Sequence, residues 1–115
     1  MDEVTTTNNE NVNNEFTPTD YQDTTPLQLL NLGCGTDIRD GYSNIDIIPF
    51  DTSVIVCDAR ELEFEHGSVD GILALDLLQC FPIQEIPQIL TDWYALLSEG
   101  AELVVSVPSS LISLM

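Results

Sequence analysis

Residues 30–35 read Leu30-Asn31-Leu32-Gly33-Cys34-Gly35, a short apolar run that ends in two glycines separated by one residue. Such a run is typical of a buried strand. Glycines at its end allow a tight turn in which backbone N–H groups approach a ligand that a Cβ would exclude. An ordinary structural turn also explains a Gly-x-Gly pair, so the interpretation depends on the rest of the chain.

Four further apolar runs of similar length follow along the chain. Nearly continuous Val, Ile and Leu runs of four to eight residues are typical of strands that are buried on both faces, as in a parallel sheet. We therefore expect an α/β protein with about five strands. The runs, including the first, are residues 27–32, 42–48, 53–57, 69–75 and 101–107.

One segment has the period of a helix. Its apolar residues recur at intervals of three and four, which places them on one face of an α-helix. Pro87 falls in the first turn, where a missing N–H costs little, and Gly100 follows the last turn. This helix connects the fourth and fifth strands as a βαβ unit of right-handed crossover. The apolar stripe consists of Ile86, Ile89, Leu90, Trp93 and Leu97.

The charge balance excludes two classes of partner. The chain has 115 residues, with 20 Asp and Glu against two Arg and no Lys, which gives a formal net charge of −18. Proteins that bind DNA or RNA neutralise phosphates with Lys and Arg, and anionic membrane surfaces also attract basic residues. We therefore expect neither a nucleic acid nor a membrane surface as a partner.

The N-terminal part of the chain differs from the rest. Residues 1–26 contain six acidic residues, no basic residue and no helical or strand period, which predicts a disordered acidic leader before a domain at residues 27–115. The first residues have neither the positive charge nor the apolar run of a signal peptide. Three cysteines without a Cys-x-x-Cys pair favour a reduced, cytoplasmic chain and indicate no metal site.

Two acidic residues mark the ends of predicted strands beside the glycine turn. In a doubly wound sheet, ligands bind beyond the carboxyl ends of the strands at the switch point, where Asp46 would meet ribose hydroxyls and Asp58 the next group. A nicotinamide dinucleotide is disfavoured, because Asp46 follows Gly33 by only 13 residues and position 38 is Ile. Without Lys there is no phosphate loop, so a cationic cofactor suits this acidic pocket better.

Residues 30–46 resemble the first strand and turn of a subgroup of class I S-adenosylmethionine-dependent methyltransferases. Their sequence, from Leu30 to Asp46, is LNLGCGTDIRDGYSNID. In that subgroup an "LNLGCG" strand and turn is followed closely by "GYINVD". The resemblance continues through residues 57–62, 67–72 and 86–101 and covers about Leu27 to Ser109. It implies a Rossmann-like, doubly wound, mostly parallel sheet of about five strands that lacks the family's C-terminal strands.

The resemblance also implies S-adenosylmethionine as the cofactor. Gly33 and Gly35 would lie against its methionine moiety and ribose, and Asp46 would hold the ribose hydroxyls. Asp58 and Ala59 would face the adenine, and the residues at the end of the fourth strand would line the edge of the cofactor. The implied cofactor-binding residues are Gly33, Cys34, Gly35, Asp46, Ile47, Asp58, Ala59, Leu75 and Asp76.

The chain departs from the family pattern at several positions. Asn31 stands where many members carry an acid, and Asp37 replaces the third small residue of the glycine motif. Gln79-Cys80 replaces a Glu-His pair, which leaves no evident general base and no assigned catalytic residue. Because the sequence stops at Met115, we expect a truncated protein, a fragment or one half of an assembly. Its fifth strand would lie at an open sheet edge that either Pro108 or a partner chain covers.

The sequence leaves three functions open. The first is a methyltransferase whose acceptor is a small molecule or a glycan precursor. The second is a non-catalytic methyltransferase-like remnant that serves as a binding or interaction module. The third, a nicotinamide-dependent oxidoreductase, is disfavoured by the short interval between Gly33 and Asp46.

Overall fold

A computed structural model describes residues 26–109 of the chain. All of the predicted acidic leader except Pro26 lies outside these residues. The longest helix, α1 (Ile86–Leu96), has 11 residues, and no helix among residues 26–109 is long and apolar enough to cross a bilayer. Two 3₁₀ turns, Leu78–Cys80 and Ile83–Glu85, precede α1. The strands are β1 (Leu29–Leu32), β2 (Tyr42–Asp46), β3 (Ile55–Val56), β4 (Val69–Leu75) and β5 (Leu97–Ser106).

The five strands form one sheet in which all neighbouring pairs are parallel. The strand order is β3-β2-β1-β4-β5, so the first described strand lies in the middle of the sheet and the following strands extend first to one edge and then to the other. This is the Rossmann-like α/β arrangement that the sequence predicts. The switch point lies between β1 and β4, where the loops after neighbouring strands run in opposite directions and open a crevice.

The core lies between α1 and one face of the sheet. Of the predicted apolar stripe, Ile86, Ile89 and Trp93 are buried against the sheet and Leu90 is half-buried beside them. Leu97 was predicted in the helix but lies in β5, because its backbone is already extended. The Trp93 indole N–H also donates a hydrogen bond of 2.9 Å to the carbonyl oxygen of Ala59, in the segment that follows β3. Leu96, the last residue of α1, is buried in the same cluster. The sheet residues in this core include Leu30, Leu32, Ile45, Val69, Ile72 and Ala74.

Only β4 has the predicted bounds. β1 begins at Leu29 instead of residue 27, β2 ends at Asp46 instead of residue 48, and β3 and β5 also differ. β3 comprises only Ile55–Val56 instead of residues 53–57. β5 begins at Leu97, directly after the helix, and not at residue 101. Gly100 has the positive φ expected of it, 82°, but it lies inside β5 and does not end the helix. The pairing with β4 is irregular beside it, so the left-handed backbone accommodates extra residues within the strand.

Candidate functional site

A cleft of about 410 Å³ opens at the carboxyl ends of the central strands, where the switch point lies. The loops after β1, β2, β3 and β4 all contribute to its walls. Of the nine residues that the sequence predicts to bind a cofactor, seven lie together around this cleft. They are Gly33, Gly35, Asp46, Ile47, Asp58, Ala59 and Asp76.

Asp46 connects the loop after β1 to the end of β2. Its Oδ2 accepts a hydrogen bond of 2.9 Å from the backbone N–H of Gly35, and its Oδ1 accepts one of 3.0 Å from the N–H of Ile48. These two contacts fix the orientation of the carboxylate at the cleft. Since each carboxylate oxygen has a second lone pair, Asp46 can still accept hydrogen bonds from a ligand.

The two glycines of the turn have different surroundings. Both have positive φ, 63° at Gly33 and 55° at Gly35, where a side chain is disfavoured. A Cβ at Gly33 would lie 2.6 Å from Cδ1 of Leu77, so this glycine makes room for the loop after β4. Nothing in the described part of the chain lies within 4 Å of a Cβ built at Gly35, which therefore faces the open cleft.

Asn31 stands where many members of the resembling methyltransferase family carry an acid, and the structure shows what the amide does there. Its side chain is buried, and its Nδ2 donates hydrogen bonds to the carbonyl oxygen of Asp37 at 2.7 Å and to Oδ1 of Asn44 at 2.9 Å. The same Oδ1 of Asn44 accepts a hydrogen bond from the N–H of Arg39. An ionised acid at position 31 cannot donate either bond. Asn31 therefore holds the loop between β1 and β2 against the sheet.

Asp58 is engaged by Arg60, two residues further along the chain. The guanidinium donates from Nη2 to Oδ2 at 2.7 Å and from Nε to Oδ1 at 3.1 Å. Arg60 also donates from Nη1 to Glu85 at 3.1 Å and lies 5.0 Å from the centroid of the Phe81 ring. The hydrogen bonds from Arg60 hold the pKa of Asp58 below its usual value. Arg60 thus links the segment after β3 to the start of α1.

Asp76 follows β4 and has a left-handed backbone, with φ of 55°. Its N–H donates to both the carbonyl oxygen and the Oγ of Ser106, at 2.9 and 3.0 Å, so β5 holds this conformation in place. The Ser106 hydroxyl donates in turn to Oδ1 of Asp76 over a long 3.4 Å. The residue is exposed, which leaves its carboxylate accessible at the cleft.

The cleft combines negative charge with an apolar surface. Asp46, Asp58 and Asp76 line it together with one cation, Arg60, so the carboxylates exceed the cations by two. Its remaining wall is largely apolar and combines the loop after β2 with the segment after β4. Such a surface favours a ligand that carries a positive charge on a partly apolar body. The apolar residues include Ile47, Ile48, Phe50, Leu77 and Phe81.

Two of the predicted site residues, Cys34 and Leu75, do not line the cleft. The N–H of Cys34 donates to the carbonyl oxygen of Ile45, which continues the pairing of β1 with β2 by one residue. Cys34 is therefore held in the sheet, and its side chain is buried. Burial raises the pKa of its thiol, and the nearby Asp46 carboxylate adds to this effect. Leu75 is the half-buried last residue of β4 and is paired with Ser106.

Seven residues of the cleft were not predicted from the sequence. Arg60 had a recognisable signal, since it follows Asp58 by two residues and its N–H donates to Oδ1 of that side chain at 2.9 Å, as in a common Asp turn. The apolar residues after Asp46 gave a weaker signal, because they read as the end of a strand. The loop after β4 had none, since its position depends on tertiary packing. The missed residues are Ile48, Phe50, Cys57, Arg60, Leu77, Cys80 and Phe81.

Comparisons with known proteins assign no family or relative to the chain. No family model matches it. No curated protein and no solved structure matches it either. Within residues 26–109, no group of three or more His, Cys, Asp or Glu side chains is placed to hold a metal ion. The interpretation of the site therefore depends on its geometry and on the sequence motifs.

Proposed function

We propose that the cleft binds S-adenosylmethionine and that the chain is the cofactor-binding part of a methyltransferase. The cleft lies at the switch point of a parallel sheet, the usual ligand position in this architecture. Its volume of about 410 Å³ is within the range of small-molecule sites, roughly 300–1,000 Å³. Its excess of carboxylates suits a sulfonium cation, whereas it would repel the pyrophosphate of a dinucleotide.

The observation that carries the proposal is the hydrogen bond of 2.9 Å between Gly35 and Asp46. It holds a carboxylate at the end of β2 beside a glycine that faces the open cleft. A ribose diol could donate to the lone pairs of Asp46 that remain available, while the absence of a side chain at Gly35 admits the rest of the cofactor. The sequence motif and this geometry both support the proposal.

The cofactor supplies an activated methyl group on its sulfonium. The chain would contribute binding and orientation. Asp46 would hold the ribose, Asp58 and Ala59 would flank the adenine, and Asp76 would add negative charge at the end of β4. Holding the cofactor in line with an acceptor would accelerate methyl transfer through proximity and orientation. The acceptor we propose is a small molecule or a glycan precursor, since the net charge of −18 disfavours nucleic acids and anionic membranes.

Isothermal titration calorimetry with S-adenosylhomocysteine tests the cofactor assignment. We expect binding to the wild-type chain and at least about tenfold weaker binding to Asp46→Asn, equivalent to about 1.4 kcal/mol. Asp92→Asn is the matched control, because it removes one carboxylate from the exposed face of α1, away from the cleft. Absence of heat with the wild type, or equal affinity in the two variants, would contradict the proposal. NADH in the same assay should produce no heat.

A second candidate function is cofactor binding without catalysis. It is favoured by Cys80, which lines the cleft at the position where the resembling family carries the histidine of its Glu-His pair, so that the described lining offers no histidine as a general base. Incubation with S-adenosylmethionine labelled in its methyl group and a panel of small-molecule and glycan acceptors distinguishes the two. Labelled product supports the methyltransferase, whereas binding without product supports the second candidate.

We also propose a cytoplasmic location. Cys34, Cys57 and Cys80 are all free thiols in the structure. Reduced cysteines are typical of cytosolic proteins. Fractionation of cells that express the chain, with antibody detection, tests this location, and recovery in a secreted or organellar fraction would contradict it.

A further inference from the structure

β3 forms one edge of the sheet, since among residues 26–109 it pairs only with β2. Its two residues, Ile55 and Val56, are apolar, yet they are 49% and 60% exposed. The N–H of Cys57 donates to the carbonyl oxygen of Asp46 in β2 at 3.0 Å. Because peptide groups alternate in direction along a strand, the N–H and carbonyl of Val56 point away from β2, toward the free edge.

A second concave surface, of about 520 Å³, lies beside this edge. Its floor is apolar and combines Ile55 and Val56 with the half-buried Leu62 and Phe64. Its rim is acidic and consists of Asp58, Glu61 and Glu63. We call this set of seven residues the β3 surface. It offers backbone hydrogen-bonding groups, an apolar floor and negative charge within one area.

Charge decides which occupant fits the β3 surface. A second copy of this chain brings the same net charge of −18 and would be repelled. The N-terminal segment of the chain is also unsuitable, because residues 1–25 contain six acids and no base. A segment with Lys or Arg side chains is attracted to the rim, and its apolar side chains can cover the floor.

We propose that the β3 surface binds an extended, basic and partly apolar segment of a partner protein by strand addition. The segment pairs with the free N–H and carbonyl of Val56. Since side chains alternate along an extended chain, apolar residues contact Leu62 and Phe64 while basic residues meet Glu61 and Glu63. The β3 surface shares Asp58 with the cofactor cleft, but the contacts proposed for the segment are made with Val56, Leu62, Phe64, Glu61 and Glu63, which lie outside the cleft lining.

Fluorescence anisotropy with synthetic peptides tests the proposal on the full chain. The probe is a fluorescein-labelled peptide of alternating lysine and valine. One control peptide replaces lysine with glutamate, and another replaces valine with proline, which lacks the N–H that a strand pair requires. We expect the lysine–valine peptide to bind, the glutamate–valine peptide not to bind, and the lysine–proline peptide to bind at least about tenfold more weakly.

Two double variants of equal charge locate the contact. Glu61→Gln with Glu63→Gln removes two charges from the rim, and Glu99→Gln with Glu102→Gln removes two exposed charges from β5, at the opposite edge of the sheet. We expect only the first pair to weaken binding of the lysine–valine peptide, by several-fold. Exchange of the Val56 amide hydrogen should also slow when the peptide is bound, because the amide then has a partner.

Four results would overturn the proposal. Equal binding of the lysine–proline peptide, or equal weakening by the two double variants, would show attraction to the overall charge of the chain without strand addition. Unchanged exchange of the Val56 amide would show that the peptide binds elsewhere. A dimer in sedimentation velocity that protects Val56 would assign the β3 surface to a second copy of the chain.

Discussion

Gly33 and Leu77 approach each other so closely that a Cβ on Gly33 would lie 2.6 Å from Cδ1 of Leu77. This contact joins the turn after β1 to the loop after β4, the two segments that flank the switch point. Glycine at this position therefore has a packing role as well as a conformational one. Gly35, two residues later, shares the positive φ but has open space around it among the residues described.

Gly33→Ala should destabilise the fold more than Gly35→Ala. Both variants place alanine in a left-handed conformation, at a cost of about 1–2 kcal/mol. Gly33→Ala also forces the Leu77 side chain to rotate, which adds about 0.5–1.5 kcal/mol if its new χ angles are unfavourable. Urea unfolding followed by the fluorescence of Trp93, the only tryptophan, measures the free energy of unfolding of each variant. In a Leu77→Ala background the difference between the two glycine variants should disappear, and an unchanged difference would contradict the contact.

The pKa of Asp58 should depend on Arg60 and not on the other arginine. Side-chain hydrogen bonds from Arg60 lower the pKa of Asp58, so Arg60→Gln should raise it toward the usual value of about 3.9. Arg39→Gln is the matched control, because Arg39 pairs with Asp37 and not with Asp58. Carbon-13 NMR titration of the Asp58 carboxyl group measures the pKa in each protein. Equal values in the wild type and in Arg60→Gln would contradict this assignment.

The same pair predicts the direction of a pH effect on stability. Because the pKa of Asp58 is lower in the folded chain than in the unfolded chain, ionised Asp58 stabilises the fold at pH values above the unfolded pKa. This contribution is lost as the pH falls below about 3.9 and through the folded-state pKa. Urea unfolding across this acidic range should therefore show a smaller loss of stability in Arg60→Gln than in the wild type.

The sequence predicted the sheet well because its strands are nearly continuous apolar runs with clear ends. β4 occupies the predicted residues 69–75, and Ile86, Ile89 and Trp93 of the predicted stripe are buried as expected. The errors occur where tertiary contacts set the boundary. The backbone becomes extended at Leu97, so β5 begins directly after α1. The irregular pairing near Gly100 leaves no periodic pattern in the sequence from which this boundary could be predicted.

The cleft was predictable where residues follow strands and unpredictable where loops pack together. Asp46 and Asp58 could be placed at one edge of the sheet, because parallel strands bring their carboxyl ends together. The inward position of Cys34 depends on its backbone bond to Ile45, which composition does not reveal. The proximity of Leu77 to Gly33 likewise requires knowledge of how the β4 loop folds back.

Trp93 should stabilise the fold through its hydrogen bond as well as through its buried ring. It is 1% exposed, and its indole N–H donates to the Ala59 carbonyl at 2.9 Å. Trp93→Phe keeps an aromatic ring but leaves this carbonyl without its donor, at a cost of about 1–3 kcal/mol. Urea unfolding by circular dichroism measures the loss. Tyr94→Phe is the control, because Tyr94 is 73% exposed and its change should be within about 0.5 kcal/mol. Similar losses in both variants would contradict a specific role for the indole.

Asp76 allows the stability and the binding role of one residue to be separated. Asp76→Gly removes the carboxylate but suits the φ of 55°, so its free energy of unfolding should stay within about 1 kcal/mol of the wild type. Asp76→Ala removes the same carboxylate and keeps the strained backbone, so it should be less stable than the glycine variant.

If Asp76 attracts the sulfonium, both variants should lose the same part of the preference for S-adenosylmethionine over S-adenosylhomocysteine, which lacks the sulfonium charge. The expected loss is about 0.2–1 kcal/mol, as for an exposed charge pair. Calorimetric titration with the two ligands measures this preference. An unchanged preference in both variants would remove Asp76 from the cofactor site. A larger loss of preference in the less stable Asp76→Ala than in Asp76→Gly would indicate that Asp76 has a structural role alone.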